Sequence, residues 1–212
     1  MGEGADAALR GDDGFGTGAL TVRTRPASAT TAMPGGEGPA AATAAPQAGA
    51  GADSPAAGLP LADPAATEAL AARLAPHLQA GDVLLLEGPI GAGKTHFARA
   101  LIGALQRAAG QPAEEVPSPS YTLVQAYAAG DLEIWHADLY RLSNAEEVAE
   151  LGLEAAFATA LCLVEWPDRL GPLRPAETLT LRFAYTEADE ARVLTLHPEG
   201  ARGVALVRLA GG

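Results

Sequence analysis

Residues 88–95 read Gly-Pro-Ile-Gly-Ala-Gly-Lys-Thr. The spacing is G-x-x-x-x-G-K-[ST], and its chemistry is phosphate binding. Backbone N–H groups from about Gly91 through Ala92 and Gly93 to Thr95 are expected to point inward at a β-phosphate, and the dipole of the next helix adds to their pull. Gly88 opens the loop; Gly91 and Gly93 allow its torsions and the close approach of a ligand. Lys94 would reach the β- and γ-phosphates, and the Thr95 hydroxyl would face Mg²⁺. Lys94 is also the one lysine of the chain: every other basic residue is arginine.

A magnesium nucleotide needs an acid at the end of a neighbouring strand. Two residues qualify. Glu165 closes the apolar run Leu161 to Val164, and Asp138 closes Leu132 to Ala137. Either can bind the ion, directly or through water, while the other orients the attacking water or holds a mobile loop. Ser118, Ser120 and Thr122 lie in a loop stiffened by Pro117 and Pro119, where hydroxyls can serve as switch contacts. His136 shares a strand face with Asp138. Arg141 can meet phosphate or pair with Glu146 or Glu147, and Trp166 can pack at the site or in the core. With the only lysine committed at position 94, an N-K-x-D guanine-reading motif does not exist in this chain, so adenine is the expected base.

These residues need a scaffold, and the hydropathy pattern supplies one. Val83 to Leu86 reads as a buried strand entering the glycine loop, and His96 to Gln106 as the helix leaving it, with Phe97, Leu101, Ile102 and Leu105 on one face. Asp63 is expected to cap a helix from Pro64 to Leu78, ended or distorted at Pro76. The segment after Val116 begins as a proline-rich loop and becomes a strand. It turns at Gly130-Asp131 and returns antiparallel as Leu132 to Asp138. Asn144 to Ala160 reads as helical, broken near Gly152. Leu161 to Val164 reads as a central strand buried on both faces. Thr178 to Tyr185 and Arg192 to His197 form a closing hairpin, and Val204 to Leu209 a last strand. The predicted fold is α/β: a three-layer P-loop domain with a mixed sheet, over residues 59–212.

Composition sets the remaining bounds. Residues 1–58 are mostly Ala, Gly, Pro, Thr and Ser, too poor in large apolar side chains to offset chain entropy, and are expected to form a disordered tail. They contain no apolar core of a secretory signal, and early acids argue against a transit peptide. No run has the length of a membrane helix. Cys162 is the single cysteine and sits in an apolar run, so a disulfide framework is excluded and a reducing, cytoplasmic setting is expected. The formal net charge of −12 argues against direct nonspecific nucleic-acid binding.

Taken together, GPIGAGKT, SPSYTLVQAY, HADLYRL, AEEVAELGLEAAF and CLVEW resemble, in order and spacing, the TsaE (YjeE) family, the ATPase of bacterial tRNA threonylcarbamoyladenosine formation. The resemblance spans about Asp63 to Arg192. It implies ATP and Mg²⁺ as cofactors, slow hydrolysis, and a complex with the TsaD and TsaB proteins, so that tRNA is met only indirectly. It further implies that Lys94 and Thr95 hold phosphate and metal, that Glu165 is a metal ligand, that Asp138 is a required acid, that residues 118–122 form a switch, and that Trp166 belongs to the same cluster. This chain departs from the family pattern at Pro89, His96, Ser120 and Ala137. His96 stands where a threonine hydroxyl would help hold the α-phosphate. The rival reading is a small-molecule kinase with Arg169 and Arg174 as a lid, and a non-catalytic alternative is a nucleotide sensor.

Overall fold

The computed structural model describes residues 58–186 and 191–210. The expected tail, Gly58 apart, lies outside the described residues. A seven-stranded mixed sheet forms the middle layer, in the order β1-β7-β6-β2-β5-β4-β3. Strand β2 (Val83–Glu87) is central and parallel to both β5 (Leu161–Glu165) and β6 (Thr178–Tyr185). Strand β4 (Leu132–Asp138) runs parallel to β5, which places Asp138 beside Glu165 in register. The outer strands β3 (Val124–Ala129), β7 (Arg192–Glu199) and β1 (Leu59–Leu61) pair antiparallel with their neighbours. The expected hairpins at Gly130 and after Tyr185 are both present.

Burial explains the layers. Every residue of β5 is buried, as its uninterrupted apolar run requires of a strand covered on both faces. Leu84, Leu86 and Leu163 point to one face, where α1 (Pro64–Leu74), α2 (Lys94–Ala108) and α5 (Gly200–Ala210) cover them with Leu70, Phe97, Leu101 and Leu206. Leu85, Cys162 and Val164 point to the other, under the short helices α3 (Ala145–Ala149) and α4 (Leu153–Thr159) with Val148 and Leu153. Each fully buried leucine contributes about 1.5–3 kcal/mol.

Helix boundaries follow their caps. The Asp63 carboxylate accepts from Ala66 N at 2.8 Å, and Asn144 accepts from Glu147 N at 2.9 Å; such caps are worth about 1 kcal/mol each. α1 stops at Leu74 and tightens into a 3-10 turn, Ala75–His77, because Pro76 cannot continue an α-helix.

One expectation fails. Val204 to Leu209 is not a strand but part of helix α5. Its apolar residues at 204, 206, 207 and 209 fit either period over so short a run. Tertiary context decides for the helix. Arg202 in its first turn is anchored on Asp82 by two 2.7 Å bonds, and Leu206 and Ala210 pack into the core.

Candidate functional site

The glycine loop leaves β2 and enters α2 through backbone that other residues resist. Gly88 has φ 135°, and a Cβ there would strike the Phe183 backbone carbonyl. Gly93 has φ 107° and faces open space. It is the N-cap of α2, so no side chain satisfies that helix end, in contrast to α1 and α3. The first amides of α2 are thus left to an anionic ligand.

A cavity of about 620 Å³ opens beside this helix end. Gly91, Lys94 and Thr95 line it from the loop, Ser118, Ser120 and Tyr121 from the loop before β3, Asp138, Tyr140 and Arg141 from the end of β4, and Glu165 and Trp166 from the end of β5. Parallel strands bring their carboxyl ends to one edge, which is where open α/β sheets bind ligands.

Lys94, Thr95, Ser120, Asp138 and Glu165 are each paired within the chain. Lys94 Nζ donates to the carbonyls of Gly88 at 2.8 Å and Pro89 at 2.9 Å, and lies 4.3 Å from the centre of the Trp166 ring. Burial pulls its ammonium below the usual lysine range, while the Glu165 and Asp138 carboxylates pull the other way. Thr95 Oγ1 donates to both Glu165 oxygens, at 2.8 and 3.1 Å. His136 Nε2 lies 3.0 Å from Glu165 Oε1. Ser120 Oγ donates to Asp138 Oδ2 at 2.6 Å, and Tyr140 N donates to Asp138 Oδ1 at 3.0 Å. The Thr95 hydroxyl and the Glu165 carboxylate are hard oxygen donors placed side by side, a pair that fits a small divalent cation.

Two strained residues frame the site. Trp166 has φ 60° directly after Glu165, and Leu123 has φ 65° at the end of the serine loop; they are the two non-glycine residues with positive φ among those described. Such a conformation costs about 1–3 kcal/mol and persists where surroundings impose it. Here Leu123 O accepts from Asp138 N at 2.9 Å, and the Trp166 ring packs against Tyr140 at 4.9 Å, the two planes inclined at 48°.

Several sequence candidates lie elsewhere. His96 turns toward α1, with Nε2 3.3 Å from Pro64 O and 3.7 Å from Glu68, and does not line the cavity. Gly88, Ala92 and Gly93 shape the loop without lining the cavity. Arg141 lines it but pairs with neither Glu146 nor Glu147: its guanidinium lies 5.5 Å from the Tyr121 ring centre, while Glu147 serves Ser143 N and Asn144. Arg174 donates to Glu199 and Thr180, Arg169 lies 3.4 Å from Asp168, and neither lines the cavity. Sequence reasoning missed Tyr140 and Tyr121 as wall residues. Their signal was adjacency, since Tyr121 follows Ser120 and Tyr140 precedes Arg141.

Comparison with known proteins agrees with this geometry. Residues 61–194 match the family described as "Threonylcarbamoyl adenosine biosynthesis protein TsaE". A tRNA threonylcarbamoyladenosine biosynthesis protein TsaE of Rickettsia conorii is 34% identical over 143 residues, covering 66% of this chain and 79% of its own. The TsaE protein of Bacillus subtilis is 34% identical over 132 residues, 62% of this chain and 79% of its own. The crystal structure of Bacillus subtilis YdiB superposes with a TM-score of 0.60 at 29% identity, covering 73% of this chain and 93% of that one. The match covers the glycine loop, the serine loop and both strand-end acids, and the chain belongs to the TsaE family.

Proposed function

We propose that this chain binds ATP with Mg²⁺, hydrolyses it slowly, and acts in threonylcarbamoyladenosine formation on tRNA through a complex with the TsaD and TsaB proteins. The observation that carries the reading is the Thr95–Glu165 pair beside the uncapped start of α2. There a cation-binding oxygen pair and a phosphate-binding helix end meet within one cavity.

The residues divide the work. Lys94 leaves the Gly88 and Pro89 carbonyls and places its charge on the phosphates. Thr95 and Glu165 would hold the metal, and bound Mg²⁺ would supply charge neutralisation on the phosphate oxygens. Asp138 sits with Ser120, one strand over, and so is the acid that couples the serine loop to the site. That arrangement supports assigning Glu165 to the metal and Asp138 to the loop. Arg141 is the arginine that lines the cavity among the described residues, with its guanidinium 5.5 Å from the Tyr121 ring centre.

The test is ATP hydrolysis by the purified chain, alone and with TsaB and TsaD, with Lys94→Ala as the blank. Turnover that rises with the partners and vanishes in the variant is the expected result. Turnover that appears only with a small phosphoryl acceptor, and no association with the partners, would replace this reading with a kinase.

A further inference from the structure

Glu165 is gripped from two sides, and only one grip has a role so far. Thr95 Oγ1 approaches at 2.8 Å, and His136 Nε2 reaches the same Oε1 at 3.0 Å. His136 is fully buried in β4, two residues before Asp138 and on the same strand face. A carboxylate oxygen accepts and does not donate, so Nε2 carries the proton. The other ring nitrogen, Nδ1, is buried with no hydrogen-bond partner. An unsatisfied buried polar atom is destabilising, and an apolar side chain would avoid it. His136 is thus a poor choice for packing alone, and what distinguishes it is its bond to Glu165.

The two donors differ in what they can do next. A threonine hydroxyl offers one hydrogen and two lone pairs, so facing a cation turns its O–H away from Glu165. The His136 ring is enclosed in the core and has no such freedom. We propose that His136 is the positioning residue for Glu165: its Nε2–H fixes the carboxylate while Thr95 exchanges its hydrogen bond for the metal. This rests on the magnesium-nucleotide reading of the site. Donors behind a metal ligand fix its orientation, and their loss typically weakens metal binding 10–100-fold.

The test compares His136→Gln, His136→Asn and His136→Leu in the full chain. A glutamine amide nitrogen reaches about as far as Nε2, whereas an asparagine amide ends near the Nδ1 position. Binding of a fluorescent ATP analogue is titrated with MgCl₂ and, separately, measured in EDTA. The Asn and Leu variants are expected to need at least about tenfold more Mg²⁺ for half-maximal binding, with affinity in EDTA unchanged, and the Gln variant to recover most of the loss. If His136→Leu does not fold, the Gln and Asn pair decides alone. Wild-type Mg²⁺ dependence in His136→Asn would overturn the inference, as would an equal loss of affinity in EDTA and in Mg²⁺. Wild-type protein that binds the analogue without any Mg²⁺ dependence, or not at all, would instead fail the magnesium-nucleotide reading and take this inference with it.

Discussion

The two ends of β2 carry the same kinds of groups and use them differently. At its start, Asp82 is nearly fully buried and accepts from Arg202 Nε and Nη2, both at 2.7 Å, and from Gln79 N at 2.9 Å. Arg202 Nη2 also donates to His77 O at 2.7 Å. These donors bind the start of β2 to α5 and the turn after α1, and none of these residues lines the cavity described above. At the other end, Lys94, Thr95, Ser120, Asp138 and Glu165 are also paired, but beside a cavity and with strained backbone at Trp166 and Leu123. Pairing satisfies the buried charge at both ends. At the start of β2 it makes a tether; at the other end, the phosphate and metal proposed above would offer each group a substitute partner.

The sharpest way to break this comparison is to exchange one charge at each end. Lys94→Ala is expected to lower affinity for Mg-ATP on the order of 100-fold, measured by calorimetric titration, with a thermal midpoint within a few degrees of wild type. Arg202→Ala should do the reverse. It strips Asp82 of its charged donors and is expected to cost about 2 kcal/mol, a fall of roughly 4–8 °C in midpoint for a domain of this size, with nucleotide affinity unchanged. Equal stability losses in the two variants would mean that the two ends do not differ as argued.

Ser120→Ala sharpens the site end alone. It removes the 2.6 Å bond to Asp138 but leaves that carboxylate its Tyr140 N–H donor. The expectation is a several-fold change in turnover, and a stability loss of about 1 kcal/mol or less. A thermal midpoint that drops as far as that of Arg202→Ala would make the serine loop a structural tether instead.

The site end was far more legible in sequence than the tether end. The glycine loop is readable because phosphate binding demands residue types at fixed spacing, and β5 because a doubly buried strand has no polar residue before Glu165. The fold class followed from the same runs. The pairing of Asp82 with Arg202 joins residues 120 apart in sequence, and no local pattern announces it. For the same reason the local pattern of α5 reads as a strand: the contacts that settle its conformation come from Asp82, β6 and α1. Within the site, spacing put Asp138 and Glu165 at strand ends but could not rank them. The ranking proposed above rests on side-chain neighbours, Thr95 for one and Ser120 for the other. His96 shows the limit of motif position, since adjacency to Lys94 and Thr95 did not place its ring in the cavity.

The smallest expected effect tests the tether end by pH. Glu199 accepts from Arg174 Nη2 at 3.1 Å and from Thr178 Oγ1 at 3.0 Å, and these bonds hold its carboxyl below the usual carboxylate range. A carboxyl whose pKa is lowered by folding stabilises the folded state at pH above its unfolded value, near 4.5. That contribution disappears as pH falls through the lower folded value, because both states are then protonated. Glu199→Gln removes the titration. Its stability deficit relative to wild type should therefore be greatest at pH 6–7 and shrink below about pH 4. Because the pair is half exposed, the deficit should stay under about 1 kcal/mol, read as a shift in urea midpoint at each pH. Nucleotide affinity should not move with it, because Glu199 lies at the end of β7 and does not line the cavity. A deficit that grows toward acid would show that the carboxyl is held in its neutral form, contrary to its two donors.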